Sequence, residues 1–475
     1  MSQSRPAPRF WAPLFVLLGG GFVVALDNFI VNVAIPHVKA DLGAGYAAVQ
    51  LVVVAYGLAY GTSLVTGGRL GDLYGRKRCF MAGLAGFTLA SMLCGFAPST
   101  AILILARLVQ GIAGAVMFPQ VLALLRTQFP AERRRLAFAL LGIAMGLGGT
   151  CGQLLGGVLV DWNLWSLGWR LVFLINLPVG LVGLAAARFL LDETAPGARV
   201  RFDFGGVVLA ASTLAAILTP LIIGRELGWP SWAFGLLAAS LPLGIQFVRW
   251  ERQVAWAGGT PIVDLTLFRA PSFVAGLALS ATFYTTLNSF YLSLTLLLQM
   301  GLGASAFQTA LVFLPLCLAF LIGTLAALRF GGRRSLDAGI LLTLVAYGLA
   351  ALNTTITGPD WSRQSLIPGL TVLGFGQGLF LTPLLNVVLS RVEPRLAGGG
   401  AGMLATFQQA GGALGIAVVG LLFFGALDGS AMGFRHGFEL AARYGFLASL
   451  GCLALLRVLD LIDRRAQASG LAATS

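Results

Sequence analysis

Gly68-Arg-Leu-Gly-Asp-Leu-Tyr-Gly-Arg-Lys-Arg78 lies between two apolar runs, residues 46–67 and 79–97. Each run approaches the roughly 20 apolar residues that a helix needs to cross a bilayer, so the charged stretch reads as a tight loop at a membrane face. Gly68, Gly71 and Gly75 allow a short turn and close backbone approach. Asp72 stands there among Arg69, Arg76, Lys77 and Arg78. Cations gathered beside spans mark the cytoplasmic side.

The same pattern runs through the whole chain. Of 475 residues, 57% are hydrophobic and only 10% charged, against about 25% charged in soluble domains. That composition excludes a soluble enzyme, a nucleic-acid binder and a disordered tail, although the net charge of +13 invites a nucleic-acid reading. Apolar runs at 13–35, 46–67, 79–97, 101–124, 136–160, 169–190, 204–223, 231–249, 272–299, 306–328, 336–356, 366–389, 398–425 and 438–459 predict fourteen transmembrane helices. With the N-terminus inside, only Lys39, Arg170, Arg225, Arg363 and Arg435 fall near the outer face, and Arg107 and Arg443 fall within spans. The remaining cations are internal, which places both termini in the cytoplasm and accounts for the basic balance without nucleic acid.

A degraded echo of the loop, Gly323-Thr-Leu-Ala-Ala-Leu-Arg-Phe-Gly-Gly-Arg-Arg334, follows the tenth span. The two copies occupy equivalent places in two six-span halves if the seventh and eighth spans are an insertion. The expected organisation is a cytoplasmic N-terminus (1–10), an N-terminal six-helix bundle (11–190), two inserted helices (191–252), a cytoplasmic amphipathic linker (253–271), a C-terminal six-helix bundle (272–460) and a cytoplasmic C-terminus (461–475). Such repeats imply a cargo site near the midplane.

Cys79, Cys94, Cys151, Cys317 and Cys452 are scattered, and His37 and His436 stand at span ends. No disulfide framework, metal knuckle or histidine triad is expected from them. Asp27 and Arg107 are the deep charges, the first about 12 Å and the second about 9 Å from the outer ends of their spans at 1.5 Å per residue. A carboxylate in hydrocarbon costs at least about 2.5 kcal/mol, so by default it has a task. Apolar surroundings favour its neutral form and a nearby cation its charged form, the balance that a proton carrier needs. A static pair that only locks two helices is the plainer alternative. Asp72 would accept from the next helix's amides or from an arginine across the bundle, closing the cytoplasmic side.

The fifth span carries Gly142, Gly146, Gly148, Gly149, Gly152, Gly156 and Gly157, and the thirteenth Gly398 to Gly402, Gly411, Gly412 and Gly415. Small residues four apart let helices meet closely, and a neighbour across the two halves is expected, with plain packing equally open. Asn28, Phe29, Asn32, Tyr56, Gln110, Tyr284, Asn288, Tyr291, Gln377 and Gln408 are polar or aromatic points on apolar walls, the make-up of a small-molecule cavity. Taken one at a time, each also reads as an interhelical hydrogen bond or packing contact.

These residues resemble the fourteen-span drug:proton antiporter family of the major facilitator superfamily. The loop Gly68 to Lys77, with Gly68, Asp72, Gly75, Arg76 and Lys77, is similar to the superfamily's gating signature. Arg107-Leu-Val-Gln-Gly-Ile-Ala-Gly114 is similar to its proton-relay motif. Leu26 to Pro36, Trp169 to Gly180 and Pro261 to Arg269 resemble signatures of the fourteen-span branch. Gly146, Gly152, Gly156 and Gly157 fit the antiporter helix, but Gln153 stands where that motif has proline, Phe29 where threonine is usual and Leu51 where tryptophan is usual. The second half lacks the buried acids that relatives use for dications.

The resemblance implies an all-α major facilitator fold of two six-helix bundles plus two inserted helices. It implies a transporter of the bacterial inner membrane that exports small hydrophobic or cationic compounds by alternating access, with antibiotic resistance as its outcome. The proton is the coupling ion, Asp27 and Arg107 are the coupling residues, and no cofactor or metal is expected. The partners are a small-molecule substrate and the bilayer, with no nucleic acid. The chain is expected to act as a monomer, and any periplasmic adaptor would be a separate chain. Gln153 keeps open a facilitator or symporter of one metabolite, and a membrane enzyme or lipid-handling protein is the reading from another class.

Overall fold

A computed structural model describes residues 8–193, 203–259, 261–356, 362–389, 392, 397–427 and 431–472, and every described element is helical. In chain order the helices are α1 (Pro8–Asp41), α2 (Tyr46–Tyr74), α3 (Arg76–Gly95), α4 (Thr100–Gln128), α5 (Ala131–Trp162), the short α6 (Leu171–Leu174) and α7 (Asn176–Leu190). They continue as α8 (Phe204–Ile223), α9 (Ser231–Trp256), α10 (Pro271–Leu296), α11 (Ala306–Phe330), α12 (Gly332–Ile356), α13 (Ile367–Leu389), α14 (Ala397–Gly425) and α15 (Ala431–Ala472).

All fourteen expected spans correspond to helices, several of them longer than the apolar run. Thirteen described segments are long and apolar enough to cross a membrane, and α10 is absent from that set. Its 26 residues include Ser280, Thr285, Thr286, Asn288, Ser289, Ser293 and Thr295, all buried. Hydroxyls lower the hydropathy of a helix without opening it; those of Thr285, Thr286, Ser289 and Ser293 bond back to its own carbonyls, while Ser280 Oγ and Thr295 Oγ1 have no partner among the described residues. Thr286 to Phe283 O at 2.8 Å and Ser293 to Ser289 O at 2.8 Å are examples.

The local signals that end these helices are short-range. Ser99 caps α4 by accepting from Ile102 N, and Asp203 caps α8 by accepting from Gly206 N. Gly75 joins α2 to α3 with φ of 97°, a region that L side chains avoid. α15 starts ahead of the expected 438 and continues through residues expected to be tail. The expected linker is not one amphipathic element. Its first residues extend α9 to Trp256, residue 260 lies outside the described residues, and Leu265–Arg269 is a 3-10 helix begun by Asp264, whose carboxylate accepts from Thr266 N at 2.9 Å.

The chain divides into two compact units, 1–262 with 305–310, and 263–304 with 311–475. The inserted pair α8 and α9 groups with the first unit. Each unit repeats one packing scheme. In the first, Gly148, Gly152 and Gly156 lay α5 on α1, where an added Cβ would stand 2.5 Å from Phe22 O, 2.9 Å from Leu26 O and 2.8 Å from Ile30 O. In the second, Gly411 and Gly415 lay α14 on α10, against Ala281 O and Thr285 O, with no room for a Cβ. The expected partner of this α5 stripe was a helix across the two halves. Gly148, Gly152 and Gly156 instead meet α1 of the same unit, whereas Gly157 meets the start of α11, where a Cβ would stand 2.4 Å from Ala306 O, so the expected neighbour is present at that position.

A core of Phe273, Phe283, Leu336, Phe380, Leu404 and Leu456 fills the second unit, with the Phe283 and Phe380 rings stacked at 4.2 Å. Replacing Gly152 by Leu forces the α1–α5 contact apart and should cost about 1–3 kcal/mol, read as a lowered unfolding midpoint in detergent. Gly142→Leu should leave the midpoint unchanged, since nothing lies within 4 Å of a Cβ at Gly142.

Candidate functional site

Asp27 on α1 and Arg107 on α4 are both completely buried, and Arg107 Nη1 is paired with Asp27 Oδ2. The depth match read from the sequence is a direct contact. Two ions taken out of water need their remaining donors and acceptors satisfied, and α2, α3, α4 and α7 meet much of that need. Gln110, one turn beyond Arg107, accepts from Arg107 Nη1 through Oε1 and donates from Nε2 to Asp27 Oδ1, both at 2.8 Å. Asn176 on α7 donates to Asp27 Oδ1 at 3.0 Å and to Ser91 Oγ of α3 at 2.9 Å. Ser91 in turn donates to Phe173 O.

From α2, Val52 O accepts from Arg107 Nε at 3.2 Å, and the Tyr56 ring lies 4.3 Å beneath the guanidinium. That contact is a cation–π interaction in a water-free setting, where such contacts are strongest. Tyr56 donates its hydroxyl to Val24 O at 3.4 Å. Arg107 Nη2 has no hydrogen-bond partner among the described residues.

At the basic end of the helices, Asp72 accepts from Arg76, one turn along, at 3.1 Å, with both side chains partly exposed. The expectation that Asp72 receives the next helix's amides is not met. Those amides, Lys77 N and Arg78 N, donate to Glu193 Oε1 and Oε2 at 3.1 and 3.2 Å. A carboxylate at a helix N-terminus satisfies orphan donors and the helix dipole together. Glu193 reaches this place because Gly75 leaves room for it, as a Cβ there would lie 2.6 Å from Glu193 Oε1. Lys77 Nζ donates to Arg188 O at 2.7 Å, and Arg76 Nη1 to Ala123 O at 3.4 Å.

A profile of the Major Facilitator Superfamily matches residues 17–416. The chain belongs to the Major Facilitator Superfamily. It is 41% identical over 433 residues to a probable actinorhodin transporter of Streptomyces coelicolor, covering 90% of this chain and 74% of that protein. It is 36% identical to the puromycin resistance protein pur8 of Streptomyces alboniger, with 98% and 93% covered. It is also 36% identical to the cephamycin export protein CmcT of Amycolatopsis lactamdurans, with 89% and 86% covered. The fold is similar to a crystal structure of a mutant of the peptide transporter POT in complex with sulfate, with TM-score 0.68, 15% identity and 95% of each chain covered. The protein is thus a multi-pass transporter of this superfamily, like its named relatives.

Within this superfamily transporter the residues expected to line a cavity divide between the two units. Tyr56 and Gln110 are fully buried partners of the charge pair. Asn32 is buried with Oδ1 unbonded among the described residues, while Asn28 and Phe29 are half-buried. Phe29 packs over α5, its ring 3.3 Å from the place of a Cβ on Gly149. Gln153 is 1% exposed, and neither its Nε2 nor its Oε1 has a partner among the described residues. Gly146 is half-buried on the same helix.

In the second unit Tyr291 donates to Gln377 Oε1 at 2.6 Å, both buried. Asn288 is buried against Gly412, and Tyr284 and Gln408 are half-buried. Sequence reasoning missed Asn176, Ser91 and Glu193. Asn176 lay inside the Trp169 to Gly180 signature, and its signal was an amide in an apolar span. Ser91 and Glu193 carry no signal without their partners.

Arg107→Leu leaves Asp27 buried without a counter-charge and should cost about 3–5 kcal/mol. Adding Asp27→Asn to that variant should restore most of the unfolding midpoint in detergent. A double variant no more stable than the single one would show that charge is not what the network balances.

Proposed function

We propose that this transporter exports small hydrophobic or cationic compounds of the antibiotic type by proton-coupled alternating access, with Asp27 carrying the proton. The observation that carries the proposal is the sealed Asp27–Arg107 pair, bridged by the single amide of Gln110. Protonation of Asp27 removes one charge, and Arg107 still has Gln110 Oε1, Val52 O and the Tyr56 ring to hold it. Loss of the ion pair therefore loosens α1 from α4, and the guanidinium keeps two hydrogen bonds and a ring while it lacks a counter-charge. In the conformation described here neither ion reaches solvent, so the proton enters and leaves when the helices part. A carboxyl that gains access to each side in turn is the element a coupled transporter requires.

The relatives support the export direction by their names. Besides those above, a tetracenomycin C resistance and export protein of Streptomyces glaucescens is 32% identical, with 87% of this chain and 76% of that protein covered. The basic loop face, with Arg76, Lys77, Arg78 and Arg188, is assigned to the cytoplasm of a bacterial cell by the positive-inside rule. No enzymatic activity is assigned, since the buried groups form an ion-pair network and not a nucleophile with its base.

A second reading, a facilitator or symporter of one metabolite, draws on Gln153, whose buried amide has no partner among the described residues and stands ready for a polar solute. Reconstituted vesicles with an imposed pH gradient and puromycin as probe separate the two readings. Antiport predicts puromycin movement against proton flow. Asp27→Asn should abolish the pH-driven movement while expression and puromycin exchange at equal pH persist. Gradient-driven transport that survives Asp27→Asn would remove the assignment.

A further inference from the structure

The inserted helix α9 presents mostly exposed surface, and of its 26 residues only Ala233 and Glu251 are buried. A fully buried glutamate on an otherwise exposed apolar helix is a costly placement that implies a specific counterpart. Glu251 lies beside Asp203, the cap of α8, since a Cβ added at Gly206 would meet Glu251 Oε1 and stand 2.7 Å from Asp203 Oδ2. Asp203 Oδ1 is committed to the hairpin itself, accepting from Trp250 Nε1 at 2.7 Å and from Gly206 N at 2.8 Å. A cation within electrostatic range of this acidic pair is Arg69, the second residue of the gating loop. Glu251 and Asp203 both act on it electrostatically, and its Nη2 donates to Pro261 O beyond the end of α9.

The opposite end of α2 is held by the same hairpin. Gly45 precedes α2 and has no side chain to cap it. Glu226, in the turn between α8 and α9, supplies the cap by accepting from Ala47 N at 2.7 Å. Between these two ends α2 carries Val52 O and the Tyr56 ring, the two contacts that hold Arg107 apart from its ion pair and Gln110.

We propose that the α8–α9 hairpin is a brace on α2, with Arg69, Glu251, Asp203 and Glu226 as positioning residues that set the gating loop and the Arg107 platform. The brace rests on the transport reading for its role in the cycle but not for its existence. Hydrogen–deuterium exchange of the full chain in lipid nanodiscs tests it directly. Glu251→Gln and Arg69→Glu should each speed exchange of the 68–76 segment about tenfold, as expected when a buried carboxylate and Arg69 lose their mutual charge interaction. The double variant Arg69→Glu/Glu251→Arg should return that exchange to within about twofold of the wild type.

Glu226→Gln, at an exposed position, should speed exchange only in the first turn of α2. Puromycin efflux in vesicles should lose Vmax with unchanged KM in the two single variants and recover in the double. Unaltered exchange at 68–76 in the single variants, or a double variant worse than either, overturns the brace. If a single variant does not fold, an unaltered first turn of α2 in Glu226→Gln overturns it. Altered exchange in a protein whose wild type moves no puromycin supports the brace and counts against the transport reading alone.

Discussion

A charge with no water around it must have its partners built in, and the first unit is organised by that constraint. Asp27 and Arg107 sit where neither ion is exposed, a placement that is tolerable only when the pair is close and its other polar atoms are bonded. Meeting this need draws Val52 and Tyr56 from α2, Ser91 from α3, Gln110 from α4 and Asn176 from α7 to one point. α1 must lie tightly on its neighbours for the carboxylate to be there at all, and the glycine row of α5 provides that closeness. The same dependence ties α1, α2, α3, α4 and α7 to one another through a single pair of charges.

The two units share a packing scheme but not a chemistry. Gly148 and Gly152 meet Phe22 and Leu26 as Gly411 and Gly415 meet Ala281 and Thr285. By that register Thr286 of α10 stands where Asp27 stands in α1. Thr286 spends its hydroxyl on Phe283 O, and its neighbours Tyr291 and Gln377 form a neutral pair. Neutral hydroxyls and amides hold a position without titrating, so the first unit alone carries a buried acid–arginine pair among the described residues. The buried charge is thus confined to the first unit among the described residues, while the second offers neutral polar groups.

The gating loop spends its charges close to home. Asp72 pairs with Arg76, Glu193 takes the amides of Lys77 and Arg78, and Arg69 reaches the carbonyl of Pro261. The contacts of Asp72 and Glu193 are on the protein's edge, where screening keeps each one weak.

Much of this was legible beforehand. Hydropathy and loop charge depend on the local sequence, because bilayer thickness and loop arginines act on each segment separately, and so the helices, the duplication and the family followed from reading along the chain. Asp27 and Arg107 were legible for a related reason, since a charge deep in an apolar run is anomalous wherever it occurs. Folding alone decided which groups completed the site. Asn176 and Ser91 look like ordinary polar residues until α3 and α7 bring them to Asp27. Glu193 and Glu251 look like span-end charges until long-range packing gives them Lys77 N and the neighbourhood of Arg69. Sequence determines where a charge will be expensive, but only the packed helices determine which distant donor removes the cost.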